Sequence, residues 1–186
     1  MNASRHSKTD VLQAALKLLD EVGLPDLTMR KLAASLDLQP SALYWHYPNK
    51  QTLLAEVSNT IVNFARSVTA GKTWQETATL EALALRDALL AFRDGAEVVS
   101  STLALGLGAD RALERLENSI AIENRKLAHA AAESILFLVL GQVWHEQQRM
   151  QANSLGVVDN LELSGTPNLE IGIQLILQGL GIKINS

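Results

Sequence analysis

The 186-residue sequence contains no cysteine, which excludes disulfides, thiolate metal sites and thiol nucleophiles. Aromatic residues make up only 4% of a chain that is 47% hydrophobic and rich in Ala and Leu, a balance that favours helices over sheets. No apolar run is long enough to span a bilayer. Nothing resembles a signal peptide either: the first ten residues are polar, and Val11 to Leu19 is interrupted by Gln13 and Lys17. A soluble cytoplasmic protein with no membrane contact is expected. Positive charge is scarce as well, the net charge being −4. Residues 1–50 carry six Lys/Arg against five Asp/Glu, and the remaining 136 carry ten against fifteen. Binding to a polyanion must therefore rest on a few well-placed groups and not on a broad positive field.

Catalytic equipment is missing too. There is no nucleophile elbow and no phosphate loop. The four histidines are His6, His46, His129 and His145. The last two lie 16 residues apart, about 160° around a helix, and do not converge. No enzyme, metal site or cofactor is expected.

What is present reads as helices. Val11, Leu12, Ala15, Leu16, Leu18 and Leu19 give an apolar stripe over about 9–22, with Ser7 or Thr9 to cap it and Gly23 to stop it. Thr28 caps a second helix ending near Leu36, with Leu32, Ala33 and Leu36 inward. Asp37 occupies the break, where a left-handed residue is wanted. Pro40 opens a third helix that leaves through Tyr47-Pro48. Asn49 caps a fourth, reaching Arg66 or Val68. Further helices are expected over 73–92, 109–117, about 123–153 and 167–182, with loops at 93–95 and 155–166. No repeat and no alternating strand pattern occurs, so the fold class is all-α.

The informative stretch is Leu27 to Leu54. Its third helix carries Tyr44, Trp45 and His46 in a row. Three adjacent residues span most of a helical turn and cannot all face one core. Core packing is an adequate account of one of them, not of three. Large side chains left outward on a short helix need a partner, and DNA is the expected one. Arg30 suits a guanine edge, the alternatives being a solvated arginine or a local salt bridge to Asp26. Lys50, at the start of helix four, suits a phosphate, the alternative being an ordinary surface lysine. Leu38 and Leu43 are assigned to the core.

The run Leu27-Thr28-Met29-Arg30-Lys31-Leu32-Ala33, with Leu43-Tyr44-Trp45-His46, Asn49-Lys50 and Leu53-Leu54, resembles the DNA-binding domain of the TetR family of bacterial transcriptional repressors. Trp74-Gln75, Ala88-Leu89-Leu90, Arg93-Asp94-Gly95-Ala96 and Gly172 to Leu180 are similar to the regulatory domain of its tetracycline-responsive subgroup. The resemblance implies a helix-turn-helix domain over residues 1–66, helix four being the connector, and a ligand-binding and dimerisation domain over 67–186. It implies a homodimer on a palindromic double-stranded operator, half-sites about 34–36 Å apart, released by a small-molecule inducer and controlling an efflux or detoxification gene. A helical dimeric small-molecule-binding protein without operator binding is the alternative. Carried over position by position, the DNA contacts are Thr28, Met29, Arg30, Pro40, Ser41, Ala42, Tyr44, Trp45, His46 and Lys50. Met29 and Ala42 stand where the subgroup has threonines, so a different operator sequence is expected.

The subgroup's metal–tetracycline constellation is largely dismantled. Its metal-ligating histidine falls on Val99 and its arginine-proline pair on Leu103-Ala104. Its drug-contacting histidine, asparagine and phenylalanine become Arg66, Glu81 and Leu85, and the glutamate from its partner subunit aligns with His145. A more apolar inducer is expected, in a pocket lined by Leu85, Val99, Leu103, Phe137 and Trp144 with Arg66, Glu81 and His145 as polar orienters. The last two long helices, through Ile135, Leu136, Leu138, Val139, Val143, Ile171, Leu175, Ile176 and Leu180, are candidates for core or for a four-helix dimer bundle.

Overall fold

A computed structural model of the chain describes residues 6–123, 125–157 and 165–180. Among these the elements are all helical: α1 (Lys8–Val22), α2 (Met29–Ser35), α3 (Pro40–Leu43), α4 (Lys50–Asn63), α5 (Trp74–Leu90), α6 (Gly95–Ala104), α7 (Asp110–Ala121), α8 (Ala128–Ser154) and α9 (Gly165–Gly179). None is long and apolar enough to cross a membrane.

The helix starts follow from local chemistry. Ser7 caps α1 in a reciprocal box with Asp10, Thr28 caps α2 through the Lys31 N–H, Asn49 caps α4 in a box with Thr52, and Thr73 caps α5 through the Glu76 N–H. The break after α2 is a Schellman closure. The Leu38 N–H reaches the Ala33 carbonyl at 2.9 Å and the Asp37 N–H the Ala34 carbonyl at 3.2 Å, with Asp37 left-handed at φ 54. The turn into α6 needs a glycine: a Cβ on Gly95 would stand 2.3 Å from the Leu89 carbonyl oxygen.

Several bounds differ from expectation. α4 stops at Asn63, short of Arg66, and α7 runs on to Ala121. α8 starts at Ala128 and not at Glu123, because Glu123, Arg125 and Lys126 are exposed and give a helix no face to bury. α6 forms over a stretch whose helical limits the sequence left undrawn. Ile182 and most of the loop expected at 155–166 lie outside the described residues.

α1 packs on α2 and α4, and α4 in turn meets α5, α6 and α7. α4 is therefore shared between the N-terminal helices and the larger helical body. Fully buried Val11, Leu19, Leu32, Leu43, Leu53 and Val57 hold the first four helices together, each worth about 1.5–3 kcal/mol of burial. In the body, Ile135, Leu136, Val139 and Val143 of α8 are buried, and α9 turns Leu169, Ile173 and Leu177 inward.

Candidate nucleic-acid interface

α3 holds only four residues. After it the chain continues as a turn in which the His46 and Tyr47 N–H groups both donate to the Leu43 carbonyl at 2.9 Å. The two core anchors of this element are Leu43 and Tyr47, spaced i, i+4, and Tyr47 is 1% exposed. With those two inward, Ser41, Tyr44 and Trp45 fall outside; Tyr44 is 49% and Trp45 90% exposed. The aromatic trio thus sits just past α3 and not on it. The aromatic that packs in the core is Tyr47, which the sequence reading passed over. Its hydroxyl lies 3.5 Å from the Lys8 carbonyl, and burial pushes the phenol up to about 12.

The expected contact residues are not equally available. Thr28, Arg30, Ser41, Tyr44 and Trp45 are exposed, and Pro40, Ala42, His46 and Lys50 are half-buried. Thr28 spends its acceptor on the Lys31 N–H at 3.1 Å. Met29, at 9% exposure, packs in the core with Leu32 and Ala33, three and four residues on along one face of α2. Gln39, not singled out in the sequence, precedes Pro40 at the N-cap of α3, exposed and making no side-chain cap bond.

The cations divide into committed and available. Lys8 pairs with Glu56, Lys17 with Glu21 at 3.8 Å, and Lys31 with Asp26 at 2.6 Å. That last bond holds the Asp26 carboxyl below its usual range, and it leaves Arg30 without the Asp26 bridge considered above. Among the described residues Arg30 forms no ion pair. Lys50 forms none either; its ammonium donates to the Leu24 carbonyl at 3.3 Å, and burial alone draws its pKa down. A half-desolvated ammonium with no carboxylate beside it is suited to an incoming phosphate oxygen.

The residues expected to meet the inducer are spread over several places in the structure. Leu85 and Val99 are buried in the core, Leu103 is half-buried, and Arg66 and His145 are exposed. Glu81 is taken by Arg115, whose Nε donates to it at 2.7 Å while the other nitrogens reach the Ala65 and Arg66 carbonyls at 3.3 and 2.9 Å. This guanidinium fills the space between α4, α5 and α7, leaving a void of about 10 Å³ among Val62, Ala65, Leu85, Ala112 and Leu116. Phe137 and Trp144 lie apart, in a groove of about 560 Å³ between α6 and α8 with Ser100, Ala104, Leu140 and Gly141. Arg115 satisfies the Glu81 carboxylate that was expected to orient an inducer.

A two-helix reader with an outward hydroxyl and aromatic edge, carried by a larger helical body, defines a DNA-binding regulator. Residues 11–57 match the profile of the family described as bacterial regulatory proteins, tetR family. Over 163 residues the chain is 36% identical to the class E tetracycline repressor protein of Escherichia coli, covering 84% of this chain and 76% of that one. The crystal structure of Mycobacterium smegmatis BioQ superposes with a TM-score of 0.85 at 40% identity, covering 95% of this chain and 98% of that one. BioQ in complex with its natural double-stranded DNA operator matches with a TM-score of 0.81 at 38% identity, over 95% and 98% of the two chains. The chain belongs to the TetR family of transcriptional regulators, which bind operator DNA and work as dimers; its relatives are regulators, not enzymes.

Proposed function

We propose that this protein is a ligand-responsive dimeric repressor, reading a palindromic operator with residues 1–66 and regulated through residues 67–186. The observation that carries this reading is the division of charge: the N-terminal helices pair off Lys8, Lys17 and Lys31 while leaving Arg30 and Lys50 without ion pairs, on the same small domain that exposes Ser41 and Tyr44. Gln39, Ser41 and Ala42 face base edges, and Arg30 reaches a base edge and the phosphate beside it. Thr28, Tyr44, His46 and Lys50 hold phosphates, Trp45 packs on the sugar-phosphate backbone, and Pro40 sets the helix start.

The dimer face is supplied by α8 and α9. Phe137 and Trp144, seven residues apart, and Ile171 and Leu175, four apart, are exposed apolar side chains on two helices that pack together. Gly141, between the first two, has open space before it, which lets a partner helix approach closely. The α6–α8 groove shares Phe137, Gly141 and Trp144 with that face, so the partner borders it, and the inducer is a largely apolar molecule held at this seam. α6 also carries Thr102, whose hydroxyl donates to Ser58 on α4 at 2.8 Å, so a shift of α6 is felt by the helix that bears Lys50.

The test is a gel shift at low salt with the intergenic DNA upstream of the chain's own gene, sedimentation confirming the dimer. A discrete shifted band that competitor DNA of unrelated sequence leaves intact is expected. A proven dimer that shifts no fragment sinks the repressor reading.

A further inference from the structure

The turn between α5 and α6 lies outside the first 66 residues, yet its two charged side chains are spent on their backbone. Asp94, left-handed at φ 54 and 4% exposed, accepts the Leu24 N–H at 2.7 Å on Oδ2 and the Gln151 amide on Oδ1. The Arg93 N–H donates to Asp20 at 3.0 Å, and its guanidinium to the Glu21 carbonyl at 3.0 Å. Gly23 leaves room for this docking, since a Cβ there would stand 2.8 Å from Asp94 Oδ2. The turn is held from behind by Gln147 on α8, which accepts the Ala96 N–H at 3.2 Å and donates to the Leu89 and Phe92 carbonyls at 3.1 and 2.8 Å. Leu24 then passes the restraint on, because its carbonyl accepts the Lys50 ammonium.

We propose that Asp94 is a positioning residue for DNA binding: it fixes Leu24, and through the Leu24 carbonyl it aims Lys50 at phosphate. The chain of contacts runs from Gln151 on α8 through Asp94 and Leu24 to Lys50, entering α4 at its first residue and not through the Thr102–Ser58 contact. Two features favour a positioning role over filler. Leu24 is buried, so its N–H has no water to fall back on once the carboxylate is gone. Asp94 also holds a conformation that costs an ordinary residue, and such strain persists only where the surroundings impose it. The inference rests on the assignment of Lys50 to phosphate made above.

A double-mutant cycle on the full-length dimer tests it. The probe is a fluorescein-labelled duplex enriched by the wild-type protein from a random-sequence pool, and affinity is read by anisotropy. Asp94→Gly removes the carboxylate while keeping the left-handed backbone within glycine's range. Asp94→Gly and Lys50→Met are each expected to weaken binding roughly tenfold, and the double variant to bind no worse than Lys50→Met alone. Losses that multiply toward a hundredfold overturn the relay and leave the phosphate assignment standing, as does wild-type binding by Asp94→Gly. Wild-type binding by Lys50→Met overturns the phosphate assignment and the relay with it. If Asp94→Gly fails to form a dimer, Gln151→Ala takes its place in the cycle, with a smaller loss expected and the same rule of decision.

Discussion

The salt dependence of operator binding by Lys50→Met is a quantitative check on the reading of the N-terminal helices. Each phosphate neutralised by a cation releases counterions, so the logarithm of affinity falls with the logarithm of salt at about 0.9 per contact. Among the described residues of the first four helices, Arg30 and Lys50 are the Lys/Arg side chains without an acidic partner, which gives about four contacts per dimer and a slope near −3.6. Between 50 and 200 mM salt the wild type should lose about 150-fold in affinity, whereas Lys50→Met, with two contacts left, should lose about 12-fold. Lys31→Met is the control, because Lys31 already serves Asp26 at 2.6 Å, and its slope should stay near that of the wild type. Anisotropy titrations at four or five salt concentrations are sufficient. Parallel lines for Lys50→Met and wild type would refute the argument, since Lys50 would then contribute no neutralised phosphate.

Four further outcomes follow from the same geometry. Tyr44→Ala should weaken operator binding about tenfold or more while leaving the melting temperature near that of the wild type, because the ring is 49% exposed; unchanged affinity removes Tyr44 from the interface. Trp144→Glu places a charge on the proposed dimer face and should give a monomer in sedimentation velocity, a persistent dimer moving the interface elsewhere. Burial raises the Tyr47 phenol to about 12, so the stability it confers is whole below the unfolded value near 10 and is lost as pH climbs from there toward 12. Urea midpoints at pH 9 and 11 should therefore diverge less for Tyr47→Phe than for wild type, and equal divergence would sink that account. Isothermal titration with magnesium and tetracycline should give no saturable heat, since Val99 and Leu103 offer no ligand atoms and Arg115 occupies Glu81; micromolar binding would overturn this.

Much of the fold could be read from local chemistry. Ser7, Thr28, Asn49 and Thr73 announce helix starts because their side chains reach the first free N–H groups, and Asp37 marks the turn because it tolerates left-handed backbone. Met29 was also legible: it lies three and four residues before Leu32 and Ala33, so one face of α2 claims it. Positional likeness to the family's contact residues pointed the other way, and burial prevailed. Tyr44 and Trp45 point outward while His46 is half-buried, and the three follow α3 instead of lying on it, which was missed because Tyr47 was left out of the count of inward groups. The inducer residues were least legible. Their grouping depends on what fills the space between α4, α5 and α7, and Arg115 reaches that space from 34 residues beyond Glu81. No periodicity along the chain encodes such a contact.

α8 links the two requirements that specific binding imposes. Its 27 residues extend about 40 Å, and its surfaces do different things along that length. Ile135, Val139 and Val143 anchor it in the core of its own protomer, while Phe137, Gly141 and Trp144 line the face proposed to meet the partner. Toward its C-terminal end, Gln147 and Gln151 hold the turn that carries Arg93 and Asp94. A reader with so few available cations cannot compensate for poor placement with general attraction, so the separation of its two heads and the aim of each head both have to be right. Both are referred to one rigid element: the partner contact sets where α8 lies, and the amide pair sets how the first four helices sit against it. A molecule wedged between α6 and α8 acts on that same element. It can therefore disturb the spacing and the aim together, and a modest displacement is enough to lose a site held by about four charges.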